Sequence, residues 1–265
     1  MTGIFVNKQL HLARFALVAV VSLLLAGCAA QDPALSRDAP YDPYEAENRR
    51  MHEFNRGLDR AVVRPAGKGY SEAIPDDIET LVANFADNLA LPGNIVNNIL
   101  QGDGKGASED FYRLVVNTTI GLGGLFDTAT DLNMPRRTSA DFGQTLYVWG
   151  VREGPYLELP LLGPSTTRAA VGKAVDLFTN PISYVFESPE KYYGTAASVS
   201  SGLSARGQYS DTIDSILYDS ADSYAASRSI YLQNRRFKVG KGRNDTYLDP
   251  YDTDLSDPYE DPYDE

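Results

Sequence analysis

The sequence predicts an all-α fold for the body of the chain. Apolar residues recur at spacings of three and four in several segments, proline and glycine punctuate those segments, and only two short runs read as strands. With 265 residues, 43% hydrophobic side chains and a net charge of -12, the chain suits one domain or two small ones and is neither collagen-like nor wholly disordered.

Residues 15–26 (FALVAVVSLLLA) form an apolar block behind Lys8 and Arg14, short for a spanning helix and typical of a secretory signal. The stretch Leu25-Ala26-Gly27-Cys28 resembles the bacterial lipoprotein signal, in which the cysteine thiol receives a diacylglycerol, the chain is cut before it, and the new amine is acylated. Residues 1–27 are therefore expected to be a lipoprotein signal peptide. Cys28 would be residue one of the mature protein and carry an N-acyl diacylglycerol lipid, with no other cofactor. An ordinary signal with an incidental cysteine is the alternative. Cys28 is the only cysteine, so no internal disulfide can form, and acylation accounts for a lone exported thiol. Three acyl chains exceed the marginal binding of one and anchor stably. Ala29, where inner-membrane retention uses Asp in enterobacterial lipoproteins, points to the outer membrane of a Gram-negative bacterium, with the protein facing the periplasm.

Loss of Lys8 and Arg14 with the signal leaves 22 basic residues against 36 acidic ones, a charge of -14. Nine of the acids lie between Asp245 and Glu265, where there is no Lys or Arg, so the body is near balance at -5. Residues 241–265 read as an acidic, disordered tail, because Asp-Pro-Tyr repeats at 249–251, 257–259 and 261–263 and both the prolines and the charge oppose regular structure. Weak calcium binding is the rival reading of the tail, without EF-hand spacing to support it. No basic stripe invites nucleic acid.

Residues 28–41 are expected to be a lipidated linker and residues 42–240 the helical domain. A first helix is predicted from Tyr44 to Val63 on the stripe Met51, Phe54, Leu58 and Val62, ended by Pro65 and the glycines at 67 and 69. A second begins near Pro75-Asp76-Asp77, where proline suits the first turn and acids suit the dipole, with Ile78, Leu81, Val82, Phe85 and Leu89 on one side. Pro92-Gly93 should interrupt it before Ile95, Val96, Ile99 and Leu100 resume the pattern, and the glycine-rich turn 102–106 should stop it. Ser108 opens a third helix with Phe111, Leu114 and Val115 as its apolar side. Residues 117–127 then alternate glycine with large apolar groups. Gln144–Val151 and Tyr156–Leu161 read as a possible short hairpin, and a last helix runs from Asp211 to about Phe237. The stripes either pack against one another in a soluble core, which periodicity alone favours, or lie in a membrane interface.

Catalytic constellations are not assembled by these residues. The mature chain keeps one histidine, His52, and no free thiol, so the usual zinc cluster or Cys/His nucleophile is out of reach and no metal site is predicted. His52-Glu53 lacks the second histidine of a zincin helix, and the glycine clusters at 102–106 and 121–124 miss the phosphate-loop and dinucleotide spacings. With no Gly-x-Ser-x-Gly elbow either, the expectation is a binding protein rather than an enzyme.

Several segments together resemble the VacJ/MlaA family of outer-membrane lipoproteins. They are Asp42-Pro43-Tyr44-Glu45 with Asn48-Arg49, Phe54-Asn55 with Leu58-Asp59, Asn117 to Asp127 (NTTIGLGGLFD), Asp141 to Leu146 (DFGQTL), Trp149-Gly150-Val151, and Gly154-Pro155-Tyr156 running to Ser165. Tyr218 to Tyr224 and Tyr231-Leu232 extend the likeness to about residue 235. The sequence departs from the pattern at Arg168-Ala169, where the family often sets an acid beside the arginine, and in the acidic tail.

The resemblance implies a ring-like arrangement of amphipathic helices in the inner leaflet of the outer membrane, with a central amphipathic channel. The implied function is a phospholipid transport system that removes mislocalised phospholipid from the outer leaflet and maintains lipid asymmetry. Its implied partners are phospholipid, a trimeric porin and a periplasmic lipid-carrier protein of the Mla pathway. Part of the channel wall or lip is placed at Asn117, Thr118, Thr119, Ile120, Gly121, Gly123, Gly124 and Phe126, where small polar groups adjoin apolar ones; the bland alternative is that the glycines only permit close helix contact. Phe54 and Asn55 are placed in a helix that sets membrane depth or gating. A structural envelope lipoprotein without transport activity is the alternative from another class.

Overall fold

A computed structural model describes residues 40–179, 181 and 192–240. The signal 1–27, Cys28, most of the linker and the tail 241–265 lie outside the described residues. Of the described residues 74% are helical, and among them there is one two-stranded sheet, so the all-α expectation holds.

Helix α1 (Glu45–Leu58) has Glu45 and Glu47 in its first turn, where the N-terminal partial charge favours them. It does not end at Pro65. A five-residue π turn, Asp59–Val63, in which Arg64 N–H reaches back to the Asp59 carbonyl, leads into α2 (Arg64–Ala73). Proline falls in the first turn of α2, where the altered hydrogen-bond register tolerates its missing N–H. Gly67 is there for packing: a Cβ would sit 2.9 Å from the Leu203 carbonyl oxygen of helix α8 (Tyr193–Gln208).

The expected interruption at Pro92-Gly93 is also absent. Helix α3 (Asp76–Gln101) is continuous with Pro92 inside it, and packing along α8 and α4 (Gly104–Thr119) holds the turn that has lost a hydrogen bond. Gly102 in the left-handed conformation (φ 75°) closes α3, and Asp103 immediately caps α4 by accepting the Gly106 N–H at 2.8 Å. Because Asp103 supplies that cap, α4 starts four residues before the predicted Ser108.

After the one-turn helix α5 (Thr128–Asp131), residues 142–148 form helix α6 (Phe142–Val148), not the first strand of a hairpin. Asp141 fixes this outcome: its carboxylate accepts the Gln144 N–H at 2.9 Å and grips Arg235 at 2.6 and 2.7 Å. The hairpin lies one step later, between β1 (Tyr156–Leu159) and β2 (Gly163–Thr166), antiparallel with Tyr156 opposite Thr166. Helix α7 (Thr167–Thr179) follows, then α8. The single last helix predicted from Asp211 is divided into α9 (Ser210–Asp214), a π turn at Ser215–Asp219, a break at 220–222, and α10 (Ser223–Gly240). Asp222 causes the restart by accepting the Ala225 N–H.

A small aromatic core joins the first and last elements. Tyr156, Tyr224 and Leu232 are buried together, with the two rings edge to face at 5.8 Å. Asn48 donates to Asp42 (2.8 Å) and to the Tyr156 carbonyl (3.1 Å) and accepts the Glu158 N–H (2.9 Å). Asp42 also takes Tyr224 and Arg228.

Candidate functional site

The helices are turned inside out relative to those of a soluble protein. Along the predicted apolar stripe on α3, Ile78, Ile99 and Leu100 are exposed (Ile99 by 63%) and the remainder are partly buried, none of them fully. The buried face of α3 carries Glu79, Asn88, Asn94, Asn97 and Asn98 beside Ala86 and Leu91. On α4, Phe111, Tyr112 and Val115 point outward, while Asp110, Arg113 and Asn117 are buried. The same inversion holds on α1, where Phe54 is exposed and Asn48 and His52 are buried. Packing of these stripes against one another, the core that periodicity favours, is therefore not what forms.

Burying polar groups requires partners, and the interior supplies them. Asp110 accepts Asn98 and the Thr138 N–H; Asp176 accepts Asn97 and the Phe142 N–H; Glu79 accepts Ser204 and Gln208 at 2.6 Å each. Arg206 holds Asp59 with two nitrogens at 2.8 Å and reaches Asp214 at 2.6 Å. His52 lies between Glu158 (Nδ1, 3.5 Å) and Ser223 (Nε2, 3.0 Å). Arg168, which lacks the neighbouring acid, is buried over the Tyr147 ring and donates to the Val151 carbonyl.

The segment that the sequence singled out is a tight turn following α4. Ile120, Leu122, Leu125 and Phe126 project from it exposed, Leu122 by 67%. Leu122, Gly123 and Gly124 have positive φ, and a Cβ on Gly124 would lie 2.4 Å from the Asn88 amide nitrogen. Asn117 is buried beneath, donating to Asp127 (2.9 Å) and accepting the Ala129 N–H (2.8 Å). Thr118 accepts Asn88, whereas Thr119 returns its hydroxyl to the Val115 carbonyl. Asp127 in turn receives Arg113 at 2.6 and 2.8 Å. Burial opposes the Asp127 charge, but Thr130, Asn117 and Arg113 outweigh it and hold the carboxyl below its usual range.

Asn117 therefore fronts an open cleft of about 410 Å³ between α3, α4 and residues 136–139, whose walls include Asp87, Asn88, Arg113, Arg136 and Arg137. Asn55 lies elsewhere. It donates to the Leu159 carbonyl and accepts the Leu161 N–H, both at 2.9 Å, and so clamps the tip of the hairpin over a second cleft of about 270 Å³ lined by His52, Glu158 and Leu162. Phe54, beside it on α1, is exposed. Of the predicted residues, Asn117 lines the first cleft and Asn55 the second; Thr118 to Phe126 and Phe54 line neither. Arg113, Arg136 and Arg137 escaped sequence reasoning, although the asparagine row at 84, 88, 94 and 98 marks the polar side of α3. Among the described residues no His, Cys, Asp or Glu cluster could hold a metal ion, and no helix is long and apolar enough to cross a membrane.

Comparison with known proteins places this geometry. Residues 40–238 match the family model described as MlaA lipoprotein. The chain is 32% identical over 226 residues to the intermembrane phospholipid transport system lipoprotein MlaA of Haemophilus influenzae, covering 84% of this chain and 88% of that one. It is 33% identical over 232 residues to the protein of the same name from Escherichia coli K12, covering 86% and 90%. A solved chain from work on the structural basis for maintenance of bacterial outer membrane lipid asymmetry superposes with a TM-score of 0.65 at 32% identity, over 75% of this chain and 98% of that one.

Proposed function

The chain belongs to the MlaA lipoprotein family, and we infer that it is a lipoprotein of an intermembrane phospholipid transport system that maintains outer-membrane lipid asymmetry. The observation that carries this reading is the inverted helices. An exterior bearing Ile99, Phe111, Leu122, Phe126 and Leu161 is costly in water and favourable against acyl chains, while the hydrogen-bonded polar interior suits the headgroup side of a lipid route. Such a protein needs no spanning helix to sit in one leaflet.

In its finer form the reading is as follows. Cys28 carries the lipid that anchors the chain to the outer membrane, the apolar exterior seats the ring in the inner leaflet, and misplaced phospholipid enters from the outer leaflet. A trimeric porin is the membrane partner and a periplasmic carrier takes the lipid onward; both rest on the family resemblance. Transport through such a protein consumes no energy at this chain, in keeping with a family known for lipid transport rather than for an enzymatic reaction.

The test is thiol accessibility in isolated outer membranes. Ile99→Cys, Leu122→Cys and Leu161→Cys should resist an impermeant maleimide until detergent is added, whereas Glu47→Cys should label at once. The wild type serves as blank, because an acylated Cys28 takes no label. Equal labelling of all four positions before detergent would overturn the membrane-seated reading.

A further inference from the structure

We propose that the cleft between α3 and α4 binds the phosphodiester monoanion of a phospholipid, with Arg136 as the cation that contacts it. The proposal rests on the transport reading and deepens it by assigning what the route recognises.

Three guanidinium groups and two carboxylates line the cleft, leaving it one positive charge in excess. Each acid is already committed. Asp127 is gripped by Arg113, which is itself buried and also donates to the Pro135 carbonyl and to Thr130. Asp87 is paired with Arg137 at 2.6 Å. Arg136 is exposed at the rim and has no hydrogen bond or ion pair among the described residues. The excess charge therefore resides on one unpaired, planar donor, the side chain best suited to a phosphate oxygen pair.

What adjoins the cleft says which phosphate. Asn84 and Asn88, both in its wall, donate to the Leu125 and Gly123 carbonyls and so fix the turn 120–126 beside it. That turn exposes Ile120, Leu122 and Phe126. A polar cleft of about 410 Å³, within the usual range of ligand pockets at roughly 300–1,000 Å³, thus opens next to apolar side chains that can take acyl tails. A free anion would use only the first part of this arrangement; a phospholipid uses both. Since no carboxylate in the cleft lacks a cation, nothing there favours an ammonium headgroup, and phosphatidylethanolamine and phosphatidylglycerol should be held alike.

The experiment is photocrosslinking of the full-length protein, purified from membranes in detergent, with three diacyl probes bearing the same diazirine chain: phosphatidylethanolamine, phosphatidylglycerol and diacylglycerol. Arg136→Gln should lower capture of both phospholipids about tenfold and leave diacylglycerol unchanged, Arg136→Lys, which keeps the charge but not the planar fork, should fall between Gln and wild type, and the exposed control Arg152→Gln should behave as wild type. Glycerophosphoethanolamine and inorganic phosphate, added in excess, should compete weakly because they lack tails. Undiminished phospholipid capture by Arg136→Gln, equal loss of diacylglycerol, a tenfold preference between the two headgroups, or full displacement by inorganic phosphate would each overturn the site while leaving the transport reading standing. Failure of the wild type to capture any phospholipid would overturn both.

Discussion

Removing the Asp127 carboxylate should destabilise the protein substantially, because it breaks the charge clamp beneath the 117–127 turn. The Arg113 side chain is 5% exposed and its guanidinium meets Asp127 at 2.6 and 2.8 Å. Asp127→Ala strands that cation in the interior and also removes acceptors from Asn117 and from the Thr130 N–H that opens α5. Breaking a fully buried pair costs about 3–5 kcal/mol; because the Asp127 side chain is 34% exposed, the low end applies, about 3 kcal/mol. For a domain of this size each kcal/mol moves Tm by about 2–4 °C, so Tm should fall by roughly 6–12 °C. The assay is thermal unfolding of wild type and variants in one detergent, followed by circular dichroism. Asp127→Asn, which keeps an acceptor but not the charge, should lose about half as much. The double variant Arg113→Met/Asp127→Leu should recover most of the loss, since it leaves no charge unpaired. A shift below about 2 °C in Asp127→Ala, or a double variant as unstable as the single one, would show that the clamp is not what holds the turn.

Gly124→Ala must place a Cβ against Asn88 at a φ of 95° and should cost about 2–4 kcal/mol, whereas Gly123→Ala, at φ 75° with nothing within 4 Å, should cost about 1 kcal/mol; paired melting curves separate them. Asn55→Ala frees the Leu161 N–H and the Leu159 carbonyl and should make local opening of the hairpin tip about 1–2 kcal/mol easier, so hydrogen exchange there should quicken about tenfold while global unfolding changes little. The same variant should alter lipid flux if this clamp sets gating, and unchanged surface phospholipid would remove Asn55 from that role. In acid, Asp214, lowered to about 2 by hydrogen bonds from Arg64 and Arg206, and Asp222, lowered to about 2 by Arg49, contribute stability that is complete above their unfolded value near 3.8 and lost as pH falls toward 2. Asp214→Asn should therefore be the less stable protein at pH 7 and should converge on wild type near pH 2.

Helix content was legible because three- and four-residue spacing survives whatever surrounds it. The side that would be buried was not, since periodicity marks a stripe without saying what solvent it meets: Ile99 and Phe111 lie on the predicted stripes and face outward. Pro65 and Pro92 misled for a related reason, because a π turn and packing against neighbours absorb a cost that an isolated helix could not. Asp141 with Gln144 three residues on is a local helix-start pattern that the alternating apolar run after it masked, whereas the grip of Asp141 on Arg235, 94 residues away, was not legible. The glycines of the 120–126 turn were visible as unusual, and two of them, Gly121 and Gly124, do make close approaches. The charge pairing of Arg113, Arg136 and Arg137 was not visible, since it depends on which acids the fold brings to them.

Surface-exposed phospholipid in intact cells tests the account most directly. Cells lacking the protein, cells expressing it, and cells expressing Cys28→Ala would be compared by mass spectrometry after treatment with an outer-leaflet-selective labelling reagent. The account predicts that labelled phospholipid rises in the deletion, returns to the wild-type level with the intact protein, and stays high with Cys28→Ala. An unchanged outer leaflet in the deletion would contradict it and leave a structural envelope lipoprotein in its place.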